Sequence, residues 1–144
     1  MSPKNRLLQL VDRNLLAVIS LAVAIAALSY NSWRNEHSED NRNHRAAGFE
    51  IMREAAHLQL TVDRATYASN FKDDDAIQGW VRVNLIVSLS KTTTKEIKEK
   101  ALALKKVWEE NWSQLYQSEE ANKKVTKSIN LLVEQVSFNL KSLR

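Results

Sequence analysis

Residues 14–33 read Asn-Leu-Leu-Ala-Val-Ile-Ser-Leu-Ala-Val-Ala-Ile-Ala-Ala-Leu-Ser-Tyr-Asn-Ser-Trp, twenty consecutive positions without a charged side chain. At 1.5 Å rise per residue such a run makes a helix of about 30 Å, the thickness of a bilayer's hydrocarbon core. Between Leu15 and Leu28 only Ser20 is polar, and a serine hydroxyl can donate to the carbonyl one turn back, so no polar group need face lipid unpaired. Arg13 precedes the run, and Tyr30, Trp33 and Arg34 close it. Aromatic rings and cations with long stems at those positions suit the two membrane interfaces. The stretch therefore predicts a transmembrane anchor with Arg13, Tyr30, Trp33 and Arg34 as its interface residues. Ala24-Ile25-Ala26 resembles a signal-peptide cleavage site. The apolar run continues past it to Leu28 with no Gly or Pro before it, which favours a retained single-pass helix.

Working outward, residues 1–13 form a short leader with Lys4, Arg6 and Arg13, and the first fifteen residues beyond Tyr30 carry Arg34, Arg42 and Arg45. The positive-inside count is thus a tie. The leader's amino group and its single acid, Asp12, favour an N-terminus inside the cell and a body on the periplasmic side of a bacterial inner membrane. Residues 34–47 are read as a polar helical stalk, and Asn35 to Arg45 within it are polar on every side, so the segment is either solvated or paired with another chain. The remainder, 48–144, is long enough for one modest domain. Two glycines and one proline in 144 residues are too few for the turns of a β fold, so the expected class is all-α. The 21 basic and 17 acidic side chains are interspersed without a dense basic block, which gives no argument for nucleic acid. The absence of cysteine excludes disulfides and thiolate metal sites.

Four amphipathic segments are predicted, the first running on from the anchor through Gly48. Its seam is Ile51, Ala55, Leu58, Val62 and Ala65, spaced 4, 3, 4, 3, with Phe49 and Met52 widening it. Asp73-Asp74-Asp75 reads as a cap. The second segment, about 75–90, is apolar nearly all round and is expected to be the most buried. Its stretch Trp80–Leu89 also carries a strand's pattern, but a lone strand would lack a partner. Thr93 with Glu96 reads as a capping box for a third helix, whose face is Ile97, Ala101, Leu104, Trp108, Trp112 and Leu115. Ser118 with Glu119 and Glu120 starts a fourth, with the seam Val125, Ile129, Leu132, Val136, Leu140 and Leu143. The predicted architecture is a transmembrane helix continuing into a small antiparallel bundle of about four helices. Its alternative pairs the first helix with its copy in a parallel coiled coil.

The chemistry available is narrow. Glu54-x-x-His57 has the spacing used in di-iron bundles, but a second copy is missing, since the other histidines are His37 and His44. His37, Asp40 and His44, spaced 3 and 4, share a helix face without a fourth ligand. No nucleophile motif or phosphate-binding glycine loop occurs. The chain is accordingly expected to be no enzyme and to hold no cofactor or metal. Trp80, Trp108 and Trp112 are candidates either for core packing or for lining a ligand site, and Gly79 is expected to give an indole room.

The stretch Ala26-Ala27-Leu28-Ser29-Tyr30-Asn31-Ser32-Trp33-Arg34-Asn35-Glu36, followed by Glu39-Asp40-Asn41-Arg42-Asn43, resembles a group of uncharacterised small single-pass membrane proteins of Gram-negative bacteria. The likeness covers Leu15 to Ala47, about a quarter of the chain, and implies an anchor running into a helical body. It implies no activity and no site. The expected role is a membrane-anchored interaction or scaffolding protein whose partners are the lipid bilayer and either its own copy or another envelope protein. The alternative is a ligand-sensing bundle, similar to the four-helix sensor domains of chemoreceptors, that acts through a partner protein.

Overall fold

A computed structural model describes residues 14–68 and 73–143. The leader with Arg13 lies outside the described residues, and so do 69–72 and the side chains of Asp73, Asp74 and Asp75, on which the capping reading rested. Four α-helices are described: α1, Leu15–Tyr67; α2, Asp73–Ser90; α3, Lys95–Asn111; and α4, Glu119–Ser142, with a 3-10 turn at Trp112–Gln114 between the last two. No strand occurs among the described residues, so Trp80–Leu89 is helical. The chain divides into two compact units, Met1–Asp40 and Asn41–Arg144.

Among the described residues the first unit is the start of α1, up to Asp40. Within it Ser20 Oγ donates to the Leu16 carbonyl at 2.8 Å, the local bond that an isolated serine in such a run requires. Its large side chains meet no protein: Leu16 is 82% and Leu28 72% exposed. This is the one helix among the described residues long and apolar enough to cross a membrane.

The second unit is an antiparallel bundle. It begins at Asn41, inside the stretch read as stalk, because His44 is half-buried and Ala47 and Gly48 are buried. Gly48 lies against Leu140 and Val136, Gln59 Nε2 reaches Thr126 Oγ1 at 2.8 Å, and Asn122 Nδ2 reaches Thr66 Oγ1 at 3.1 Å. As the numbers rise on α1 they fall on α4, so those two helices run in opposite directions. A Cβ added at Gly48 would stand 3.0 Å from Leu140 Cδ2; glycine here lets α1 and α4 approach closely. Asn139 Nδ2 donates to Thr94 Oγ1 at 2.9 Å, joining the end of α4 to the start of α3.

The core consists of the seams read from the sequence. Ile51, Ala55, Leu58, Val62 and Ala65 of α1 are buried with Ile97, Ala101, Leu104 and Trp108 of α3, Leu115, and Val125, Ile129, Leu132 and Val136 of α4. Helical period explains this: residues spaced 3 and 4 stack on one face and meet the same face of a neighbour. Leu140 and Leu143 are only half-buried, at the frayed end of the seam.

Three readings need correction. Phe49 does not widen the α1 seam; it is exposed, while Met52 is half-buried. Helix α2 is not the most buried: it places Val83 and Ile86 in the core and turns Ile77, Val81 and Leu85 outward. Its apolar residues are spread over more than one face, and only one face of a helix at the rim of a bundle meets the core. Finally, the N-cap of α3 is Thr94, not Thr93, and its hydroxyl makes no capping bond to the helix backbone. Thr93 Oγ1 instead donates to the Ser90 carbonyl at 2.7 Å, which uses it in the turn that ends α2. Ser118 does cap α4, accepting from Ala121 N at 3.1 Å.

Candidate functional site

The interface residues form a short aromatic ladder on α1. Tyr30 and Trp33 have ring centroids 6.2 Å apart, and Trp33 stacks on His37 at 5.7 Å with an interplanar angle of 12°. The spacing of 3 and 4 places the three rings one above another on a helix. Tyr30, Trp33 and Arg34 are all exposed, the arrangement in which rings and a guanidinium can lie among lipid headgroups.

The three tryptophans of the bundle come together. Trp108 is 1% exposed; Trp80 meets it edge to face at 6.3 Å, and Trp80 meets Trp112 at 6.4 Å. Edge-to-face contact suits the ring quadrupoles. The room that Gly79 provides is used by Trp108, since a Cβ at Gly79 would collide with the benzo edge of that indole. Trp108 thus lies directly against the backbone of α2, and its Nε1 is buried without a hydrogen-bond partner. Trp80 and Trp112 are half-buried and pack against the same core.

Glu54 is buried, 5% exposed, and accepts from Arg82 Nη1 at 2.5 Å. The pair ties α1 to α2. It also gives Glu54 a role unrelated to metal, and His57, its partner in the di-iron spacing, is exposed. Among the described residues no three His, Asp or Glu side chains converge as a metal site would need. His37 is taken up by its stack on Trp33.

Between α1 and α4 runs a polar belt. Asn122 Nδ2 is within 3.4 Å of the Val62 carbonyl and 3.2 Å of Asp63 Oδ1, and Thr66 Oγ1 donates to the Leu115 carbonyl at 3.0 Å. Gln59 Nε2 donates to Asp63 Oδ1 at 2.9 Å. Polar groups joined in this way around the buried Asn122 favour one register of the two helices, because a slip would leave several of them unpaired.

The surface offers one further feature. Ile77, Val81 and Leu85, 60%, 54% and 39% exposed, recur every four residues and so form a single outward ridge on α2. The sequence pattern held a signal for it: apolar residues spread over more than one face of a helix cannot all face a core. The signal for the Glu54–Arg82 pair was weaker, an acid inside one seam and a cation inside another apolar segment, with nothing to pair them. Comparison of the chain with protein-family models, with curated proteins and with solved structures gives no match.

Proposed function

We propose that the chain is a single-pass, membrane-anchored interaction or scaffolding protein of the bacterial inner membrane, with its bundle on the periplasmic side and no catalytic activity of its own. The observation that carries this reading is the apolar start of α1. It is exposed along its whole length, although the bundle has a closed core of its own. Water is an unfavourable surrounding for so much apolar surface, at about 25 cal/mol per Å², and a bilayer is the favourable one.

The ridge Ile77, Val81 and Leu85 supports a protein partner in addition, either a second copy or another envelope protein. In-cell crosslinking of the tagged protein with mass spectrometry tests this, with an accessibility probe on the C-terminus to read sidedness. Replacing the three ridge residues by glutamine, or residues 34–40 by an unrelated helical sequence, is expected to remove the partner crosslinks. The ridge change should shift stability by no more than about 0.5 kcal/mol per position, because those side chains are exposed. Full retention of crosslinks in both variants would sink the proposal.

A further inference from the structure

One end of the bundle collects cations from all sides. It is the end defined by the contact of Gly48 with Leu140, the bond from Asn139 to Thr94, and Arg45, whose guanidinium donates to the Leu143 carbonyl. Arg42 and Arg45 stand there at the start of the unit, Lys91 in the turn after α2, Lys95 and Lys98 in the first turn of α3, and Lys141 in the last turn of α4. All six are exposed. The acids in the same turns of α3 are Glu96 and Glu99, and Glu99 is 3.8 Å from Lys95. Arg42, Lys91, Lys98 and Lys141 have no carboxylate within ion-pair distance among the described residues.

The opposite end is more nearly balanced. Lys123 and Lys124 sit 3.1 Å from Glu119 and Glu120 and Lys105 is 3.8 Å from Glu109, while Arg64 and Lys106, without an ion pair among the described residues, are offset by Asp63 and Glu110. The asymmetry is a product of folding. Residues 34–40 carry one arginine against Glu36, Glu39 and Asp40, so a count along the chain near the anchor finds no basic block.

We propose that this basic end docks on an anionic phospholipid surface. The proposal rests on the membrane-anchor reading for its geometry. From Trp33 to Asn41 the chain advances eight residues, which even fully extended reach no more than about 30 Å. A tether of that length permits the basic end to reach the headgroups, where attraction acts over a Debye length of about 8 Å at physiological salt. Lysines and arginines that reach a negatively charged leaflet are attracted to it additively. Docking of this kind would hold the bundle by electrostatics in addition to its covalent link.

The absence of cysteine makes the test direct. The full chain with Ser142→Cys, at the basic end, or Gln117→Cys, at the opposite end, is labelled with a fluorophore and reconstituted into nanodiscs of phosphatidylcholine, or of phosphatidylcholine with phosphatidylglycerol. Each disc carries a nitroxide quencher on its headgroups. The label at 142 is expected to show a docked fraction raised about ten-fold or more by phosphatidylglycerol, reversed by high salt, while the label at 117 stays unchanged. The combined variant Arg42→Gln, Lys91→Gln, Lys98→Gln and Lys141→Gln should abolish the excess with its helical circular dichroism intact. Equal quenching in both lipids, an excess insensitive to salt, or an excess that survives in the variant would overturn the proposal. So would its abolition by a short DNA duplex bound at stoichiometric concentration, which would assign the patch to nucleic acid. Co-elution with neutral discs reads the anchor by itself. If that fails while the anionic excess persists, the anchor reading falls and the docking stands; co-elution with neither disc overturns both.

Discussion

Glu54 and Arg82 illustrate what a single position can and cannot disclose. Each is a charge in an apolar stretch, twenty-eight residues apart, and only the packing of α1 on α2 makes them a pair. Removing one partner of a buried pair leaves the other charge without compensation. Arg82→Ala is therefore expected to destabilise the bundle by about 3 kcal/mol, towards the lower end of that class because the guanidinium keeps some solvent. Chemical denaturation checks this, and Glu54→Leu added to an Arg82→Met background should restore most of the loss. Gly79 and Trp108 form the second such pair. Gly79→Ala forces a methyl group into the indole and should cost about 1–3 kcal/mol, with Trp108→Ala costing about 3–5 kcal/mol. The three tryptophans were each legible as apolar-face residues, but their convergence depends on the missing Cβ at position 79.

Glu96 gives a pH dependence with a definite sign. Its own backbone N–H, and then the Thr94 hydroxyl, hold its carboxyl below the ordinary 4.5, since hydrogen bonds to the charged form favour it. A depressed folded value means stability that is present above the unfolded value and lost as pH falls through the folded one. Thermal melts taken from neutral pH downward should show Glu96→Gln and the parent chain converging once both are below that range. A gap that widens in acid would contradict the assignment.

Among the elements, legibility followed contrast. Helix α4 alternates its seam with charged and amide side chains, so period alone identified Val125, Ile129, Leu132 and Val136 as core, and Ser118 marked its start. Ser118→Ala should cost about 1 kcal/mol, read as a lowered melting midpoint. Helix α2 has no such contrast. When apolar residues occupy several faces, periodicity cannot say which side is inward, and the ridge Ile77, Val81 and Leu85 became visible only in the fold. The shift of the α3 cap from Thr93 to Thr94 has a similar origin, three adjacent threonines with equal capping capacity. What chose between them lies on another helix, where Asn139 binds Thr94.

For the molecule as a whole, the apolar start of α1 was the most legible feature, because twenty uncharged residues are set by bilayer thickness and need no tertiary partner. A direct check is Leu21→Arg with Ala24→Arg. Each arginine near the middle of a spanning helix costs roughly 2.5–3.5 kcal/mol of insertion free energy, and the doubly substituted chain is expected to leave the membrane pellet under an alkaline carbonate wash. Sedimentation of both forms alike would argue against an anchor. The basic end of the bundle was illegible for the opposite reason: its six cations come from four separate segments.

The contact of Trp108 with the backbone at Gly79 has an optical consequence. An indole enclosed in apolar surroundings, with no partner for its N–H, should emit at shorter wavelength than Trp33, whose ring is exposed beside Tyr30 and His37. With Trp80 and Trp112 close enough to exchange excitation with it or with one another, the bundle carries its own spectroscopic gauge of core packing. Trp108→Phe should remove the bluest component of the emission, leaving that of Trp33 and of the half-buried Trp80 and Trp112.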